Sequence, residues 1–301
     1  MARQYAVFPR NPSPAEATNR GMMIQERMAR LEEGIAKANL VFDEYSPKVS
    51  FTPEEYMKYY DNSCVYHMCA IDYGAHMLEK FEKAMEESIL SKVLPAICDK
   101  EGVPLLVQFL HMWSKYQAFS KFLGVFFLYL GREAERRKGG RLEDIATRLY
   151  CDHVCKPFLQ KLFSAAVTLI VEDRNGQLID KYLLQQISTF FVESCGRESA
   201  SYYNNFEEVI LANAAGFYSS VASQWLLSYS AKDYILKVDQ CFNEERERAF
   251  QFLPPSSVEK LLKTMHFVLV DQTANVLNEK RRSENQDSTT LQGLLSGLSI
   301  Q

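Results

Sequence analysis

From Leu31 to Val276 the apolar residues of this chain recur at spacings of three and four, and that habit constrains its fold class more than any other feature. Side chains so spaced share one face of an α-helix and can be buried together, whereas a half-buried strand needs strict alternation. Leu31 and Ile35 lie four apart on the first helix. The stretch 114–130 places Tyr116, Phe119, Leu123, Phe126, Phe127 and Leu130 on one face. Leu159, Leu162, Phe163, Ala166, Leu169 and Ile170 form the next stripe, and Ile179, Leu183, Ile187 and Phe190 mark the one after it. The last stripe is Val258, Leu261, Leu262, Met265, Val268, Leu269 and Val276. No alternating apolar and polar run flanked by turn residues occurs, so no sheet is expected. The spacing predicts an all-α chain of about ten helices, each of roughly one to two dozen residues.

The helix ends are also written in the sequence. Thr52, Pro53 and Glu55 make an N-cap, a first-turn proline and the acceptor of a capping box. Ser256 and Glu259 predict a second capping box at the start of the last helix, after two long helices that run to Leu253. Gly139-Gly140 breaks the chain. A helix from about Leu142 is expected to reach Pro157, which suits the first position of a new helix because proline lacks the N–H that a helix interior requires. Asn175-Gly176 ends that helix, glycine supplying the left-handed residue a C-terminus commonly needs. Residues 1–20 hold Pro9, Pro12 and Pro14 among polar residues and are expected to be a disordered lead-in.

Composition narrows the function classes. The chain has 301 residues, is 47% hydrophobic and 24% charged, and carries a net charge of -4. That is ample for a buried core, and it gives no reason to expect nucleic acid or an anionic membrane as partner. Seven cysteines, odd in number and irregularly spaced, are expected as reduced thiols in the cytoplasm or nucleus. YAVF at 5–8 is too short for a signal peptide and is followed at once by Pro9. No uninterrupted window of about 18 apolar residues exists, so no membrane span is expected.

The candidate chemistry is sparse. Cys151-Asp152-His153-Val154-Cys155 and Cys64-Val65-Tyr66-His67-Met68-Cys69 mix soft ligands at short spacing, but neither has the paired C-x2-C of structural zinc sites. On a helix, 151 and 155 share a face and 153 points elsewhere, so core cysteines are the simpler expectation. No G-x-S-x-G-like turn presents a nucleophile. The five histidines (67, 76, 111, 153 and 266) are scattered over helices. The Lys138–Arg141 segment KGGR lacks the spacing of a phosphate-binding loop. The ERER block from Glu244 to Arg248 is expected to be a solvated face with helical ion pairs, each contributing little. No metal, cofactor or active site is expected.

Three segments carry a family resemblance. The run 217–262, FYSSVASQWLLSYSAKDYILKVDQCFNEERERAFQFLPPSSVEKLL, combines helical period, the charged block and a Pro-Pro-Ser-Ser mark; DRNGQLID stands at 173–180 and FFVES comes after it. Together they resemble the N-terminal repeats of cullins, the scaffolds of multisubunit ubiquitin ligases, and most of all plant cullins of the SCF type. The resemblance covers roughly 22–280. It implies stacked cullin-type helical repeats in an elongated array, about two repeats of five helices each. A first, adaptor-binding repeat would occupy 21–140 and a second 141–282, with a tail at 283–301 where a third repeat would begin. A whole cullin continues through a further repeat and a globular region that carries the RING partner, so this chain is expected to be truncated before both. The tail holds Leu291, Leu294, Leu295 and Leu298 at helical spacing, but so short a helix is marginal in water and is expected to fray.

The resemblance also implies a site. In cullins of this type the second and fifth helices of the first repeat grip the BTB-type fold of the adaptor. Here the second helix reads EEYMKYYDNSCVYHMC and the fifth ends FFLYLGRE. Matched residue by residue, the adaptor-binding positions are Tyr56, Met57, Tyr60 and Tyr66 on the first, and Tyr129 and Arg132 on the second. Tyrosine and arginine are types enriched at interface hot spots, and Tyr129 sits off the stripe made by Leu123, Phe126 and Leu130. Two positions depart from the family pattern. The third aromatic is Tyr66 where residue 64 is cysteine, an apparent two-residue insertion that rotates every residue after Asn62 by about 200° unless a bulge absorbs it. Gly131 replaces a helix-favouring or acidic residue, at a cost of ~1 kcal/mol inside a helix. The implied function is that of a non-catalytic, cullin-like scaffold in SCF-type ubiquitin ligases. It would bind a Skp-family adaptor and through it F-box proteins, with no RING subunit, nucleic acid or membrane as partner. The alternative is a degenerate helical-repeat interaction protein that no longer binds the adaptor.

Overall fold

The computed structural model describes residues 14–44, 54, 73–193 and 199–285. Every regular element among them is helical, which confirms the all-α expectation. In chain order the helices are α1 (Pro14–Glu44), α2 (Gly74–Ser88), α3 (Leu94–Ile97), α4 (Gly102–Phe126), α5 (Gly131–Lys138), α6 (Leu142–Tyr150), α7 (Lys156–Arg174), α8 (Lys181–Glu193), α9 (Ser199–Ser228), α10 (Ala231–Ala249) and α11 (Pro255–His266). A final helix, α12, occupies 274–285. The Thr52–Glu55 capping box lies outside the described residues apart from Glu54. The tail leucines at 291–298 and the first thirteen residues lie outside them as well. Helix α1 begins at Pro14, inside the stretch expected as lead-in.

The chain divides into two compact units, one of residues 1–99 and 111–157, the other of 100–110 and 158–301. Gly139-Gly140 lies within the first. There α1 buries Leu31, Ala38 and Phe42, which belong to one stripe, and Lys92 fastens it through Asp43 (2.7 Å) and the Asn39 carbonyl (2.9 Å). Of the aromatic stripe predicted along α4 and just beyond it, Tyr116, Phe119, Leu123, Phe127 and Leu130 are all enclosed, and the Phe126 side chain lies outside what the structure describes. Phe119 meets Phe42 edge-on at 5.8 Å and Phe127 meets Phe81 at 5.3 Å, an arrangement that suits the ring quadrupoles. The buried Tyr116 hydroxyl donates to the Ala146 carbonyl (2.9 Å), so its polar end is satisfied. In the second unit Phe163, Phe191 and Phe206 form a three-ring cluster with centroids 5.1–5.4 Å apart. Phe109 meets Phe190 at 4.8 Å.

Two glycines end helices as expected. Gly139 (φ 68°) closes α5, and Gly176 (φ 79°) closes α7. After α7 the Gly176 N–H bonds the Asp173 carbonyl and the Gln177 N–H bonds that of Glu172, both at 3.0 Å, the paired bonds of a Schellman turn. Asp180 then caps α8 by accepting from the Leu183 N–H at 3.0 Å.

Three boundaries differ from the sequence expectation, and wide helical turns account for two. Pro157 does not open a new helix. The chain from Leu142 to Arg174 is continuous, because a π turn at Cys151–Cys155 sits between α6 and α7. The Lys156 N–H reaches back five residues to the Cys151 carbonyl, and the widened turn relieves the clash that a proline makes with the carbonyl four residues earlier. The same device recurs at Ile89–Val93, directly before α3 places Pro95 in its first turn. A third π turn, Phe267–Asp271, shifts the phase of the last stripe. Val276, expected inside, is exposed, and Thr273 is buried in its place, donating to the Leu269 carbonyl at 2.8 Å. The third difference is at α11, where Pro254 is the N-cap and Pro255 the first helical residue, and no side chain caps the helix. Ser256 therefore sits within the first turn rather than capping it, since two consecutive prolines fix the backbone ahead of it. The Leu142–Arg174 helix is long and apolar enough by length and composition to cross a membrane, and 44% of its most apolar window is buried within the protein.

Candidate functional site

Of the six site residues inferred from the sequence, the described residues include Tyr129 and Arg132; Tyr56, Met57, Tyr60 and Tyr66 lie outside them, as do Ser63 and Cys64. Helix α4 ends at Phe126 and Phe127 makes the turn, after which Leu128–Leu130 form a single 3-10 turn. Its closing bond runs from the Leu130 N–H to the Phe127 carbonyl at 2.8 Å. Phe127 and Leu130 point into the core, so the two residues between them are driven outward: Leu128 is 56% exposed and Tyr129 43%. Arg132, in the first turn of α5, is exposed too. Gly131 is the first residue of α5 and its backbone is right-handed (φ -51°). The cost expected for glycine inside a helix is therefore reduced, because a helix start keeps only part of the constraint.

Charge surrounds the turn closely. Glu133 accepts from Arg136 (2.7 Å) and from Arg137, and those two guanidinium bonds hold its carboxyl below the usual glutamate range. Lys138 pairs with Glu82 at 3.0 Å and Arg141 with Asp144 at 3.7 Å. Three cationic residues in the last turn of α5 also complement the negative end of its dipole.

The second unit holds the strongest electrostatic feature among the described residues, and the sequence pattern misplaces it. Glu245, in the block expected to be solvated, is buried on α10. Its Oε1 accepts from Arg174 at 2.7 Å, its Oε2 accepts from the Tyr218 hydroxyl at 2.7 Å, and Arg248 also pairs with it. Arg174 donates further to Asn213 (2.8 Å) and lies over the rings of Phe217 and Tyr218 at 5.5 and 5.4 Å. Arg248 pairs in turn with Asp173 at 3.1 Å. Burial alone would raise the Glu245 pKa, but Arg174 and the other donors outweigh it and hold it below the usual value. Burial and the adjoining Glu245 push the Tyr218 phenol well up, and the half-buried Cys241 thiol rises to about 11, again chiefly by burial. Glu244, Arg246 and Glu247 are exposed, as expected.

A cleft of ≈ 250 Å³ adjoins this cluster, lined by Trp225, Lys237, Gln240 and Cys241 among others. Burial, with Glu245 and Glu244 nearby, keeps the Cys241 thiol in this cleft protonated at neutral pH. Elsewhere, Cys151 and Cys155 are buried within the π turn, and among the described residues no three His, Cys, Asp or Glu side chains stand close enough to hold a metal ion. His76, His153 and His266 each lie within 3.8 Å of a carboxylate. The arrangement suits helix-on-helix packing and surface contact.

Comparison with known proteins agrees with that architecture. Residues 31–298 match the family described as Cullin alpha solenoid domain. Putative cullin-like protein 2 of Arabidopsis thaliana is 28% identical over 274 residues, 89% of this chain and 71% of that protein. Cullin-1 of Oryza sativa subsp. japonica is 34% identical over 259 residues, 84% of this chain and 34% of that protein. Cullin-2 of Arabidopsis thaliana is 27% identical over 258 residues, again 84% of this chain and 34% of that protein. The chain thus spans about a third of the length of those two cullins. A family match over nearly the whole helical chain, with the helical-repeat fold that match carries, leads to one conclusion: this chain belongs to the cullin family.

Proposed function

We propose that this chain acts as a non-catalytic scaffold in SCF-type ubiquitin ligase assembly, in the cytoplasm and nucleus. It binds a Skp-family adaptor of BTB-type fold, and F-box proteins through that adaptor. Membership of the cullin family supports the scaffold role. The observation that carries the adaptor reading is the outward presentation of Tyr129 beside Arg132 on a turn whose neighbours are locked in the core. A tyrosine on a short turn anchored by the buried Phe127 and Leu130 loses little backbone freedom on binding, which favours a hot spot. Tyr56, Met57, Tyr60 and Tyr66, which lie outside the described residues, would complete the proposed surface on the strength of the family resemblance alone.

Isothermal titration of a purified plant Skp-family adaptor into this chain tests the reading. Saturable one-to-one binding is expected, and Tyr60→Ala combined with Tyr129→Ala should weaken it by ~2–6 kcal/mol, since each interface tyrosine contributes about 1–3, with helix content unchanged. No binding by the intact chain, or a double variant that binds as tightly as wild type, overturns it.

A further inference from the structure

We infer that the cleft between α9 and α10 binds a small aryl monocarboxylate, its ring against Phe217 and Trp225 and its carboxylate on Lys237. The inference stands apart from the adaptor reading. Each helix gives the cleft one face. On α9, Phe217, Val221 and Trp225 follow one another at four-residue spacing; on α10, Lys237, Gln240 and Glu244 do so at three and four. An apolar wall thus faces a polar one around a space of ≈ 250 Å³. That is just under the usual range for drug-sized ligands and suits a molecule of one or two rings. None of Phe217, Val221 and Trp225 is fully buried, so apolar surface is left for such a ring to cover.

The groups without partners set the sign of the ligand. Arg174 and Arg248 line the cleft but are committed to Glu245, and the Cys241 thiol is neutral. Lys237 differs. It is half-buried, and its ammonium lies over the rings of Trp225 (5.8 Å) and Tyr229 (4.6 Å), with no carboxylate paired to it among the described residues. Ring faces hold and orient a cation but leave its N–H donors for a ligand. The Trp225 indole N–H likewise has no hydrogen-bond partner among the described residues. The uncommitted donors of the cleft are therefore a cation and an indole N–H, a pair that an anion satisfies. Further along, Glu244 already accepts from Gln240 at 2.7 Å. It stands seven residues from Lys237, two helical turns or about 10 Å along α10. A second acidic group on the ligand would meet that carboxylate, so the site selects a monoanion with a neutral far end.

Titration calorimetry with 2-naphthoate, alongside nitrogen–proton correlation spectra of the tryptophan side chains, tests this. The chain has only two tryptophans, Trp113 and Trp225, and Trp225→Phe assigns their indole signals. 2-Naphthoate should bind at about millimolar concentration or tighter, moving the Trp225 signal and leaving that of the buried Trp113 in place. Naphthalene-2-carboxamide, alike in shape but uncharged, and 2,6-naphthalenedicarboxylate should each bind at least about ten-fold more weakly. Lys237→Gln should abolish the preference for the carboxylate over its amide. No binding, a Trp225 signal that stays still, or a carboxamide bound as tightly as the carboxylate overturns the inference. That last comparison uses the wild-type chain and so decides even where the variant does not fold. A folded Lys237→Gln that keeps the preference removes Lys237 from the site, and a dicarboxylate bound as tightly as 2-naphthoate overturns the selection of a monoanion.

Discussion

Arg174 and Glu245 meet at 2.7 Å with both side chains only 1% exposed, one at the end of α7 and the other on α10. Two charges so deeply buried are tolerable only because each is multiply bonded: Glu245 by Tyr218 and Arg248, Arg174 by Asn213 and the ring faces of Phe217 and Tyr218. The pair thus ties α7, α9 and α10 at one point. Its energetic signature is asymmetric, since removing one partner strands the other charge in a medium that cannot solvate it.

Single substitution of either partner is therefore expected to be severe. Glu245→Leu or Arg174→Met should each lower unfolding free energy by about 3–5 kcal/mol. The double variant should lose markedly less than the sum of the two, because an apolar pair of similar volume removes both buried charges at once. Urea unfolding of the four proteins at neutral pH measures this. Additive losses would mean that the two side chains act independently.

The same carboxylate predicts an acid limit. Glu245 has a folded pKa below its unfolded value of about 4.3. Its contribution is fully present above that unfolded value and is lost as pH falls through the lower, folded one. Stability of the wild-type chain should decline more steeply below about pH 4.3 than that of Glu245→Gln, whose side chain has no proton to gain. Parallel curves of unfolding free energy against pH for the two proteins would show that other carboxylates set the acid limit.

Thiol reactivity offers an independent probe of the neighbouring cleft. Burial, with Glu245 and Glu244 nearby, pushes the Cys241 thiol up to about 11, so at pH 8 only about one molecule in a thousand carries the reactive thiolate. Cys98 is exposed. Limited iodoacetamide treatment with peptide mass mapping should label Cys98 well before Cys241, and unfolding in urea should abolish the difference. Equal labelling rates in the folded protein would contradict the burial of Cys241.

Local physics decides which of these features the sequence makes legible. The Tyr116–Leu130 stripe and the helix ends at Gly139 and Gly176 are readable because helical period and left-handed backbone each act within a few residues. The phase errors at Pro157 and Val276 arise at π turns, which insert part of a turn without an obligatory residue to announce it. Glu245 is misplaced because its decisive partner, Arg174, lies 71 residues away, and an E-x-R pattern on a helix looks the same in solvent as in a core. At the candidate surface, Tyr129 is visible as a residue off the stripe. Leu128 is missed because its exposure depends on the 3-10 turn beyond Phe126. A leucine on an assumed continuous helix gives no sign of it.

One more long-range contact leads to a prediction of its own. The junction between α9 and α10 exposes the carbonyl end of one helix and the N–H end of the next within a few residues. Helix α12 supplies a side chain to each: Lys280 donates to the Leu226 carbonyl at 2.6 Å, and Glu284 accepts from the Ala231 N–H at 3.1 and 3.2 Å. The signs are right for both dipoles, a cation at the C-terminal end and an anion at the N-terminal end. The two residues are four apart, one helical turn, so a single face of α12 brackets the junction. Glu284→Ala and Lys280→Ala should each cost about 0.5–1 kcal/mol in unfolding free energy. Glu284→Ala should also accelerate hydrogen exchange at the Ala231 amide while leaving the amide of Tyr234, bonded to the Ser230 carbonyl at 2.9 Å, near its wild-type rate. Reversing both charges together, Lys280→Glu with Glu284→Lys, would keep net charge and helix propensity nearly constant yet set each ion against the wrong dipole end. That double variant should be the least stable of the set. If it matches wild type, the bracket is a packing coincidence and α12 is held by its apolar contacts alone.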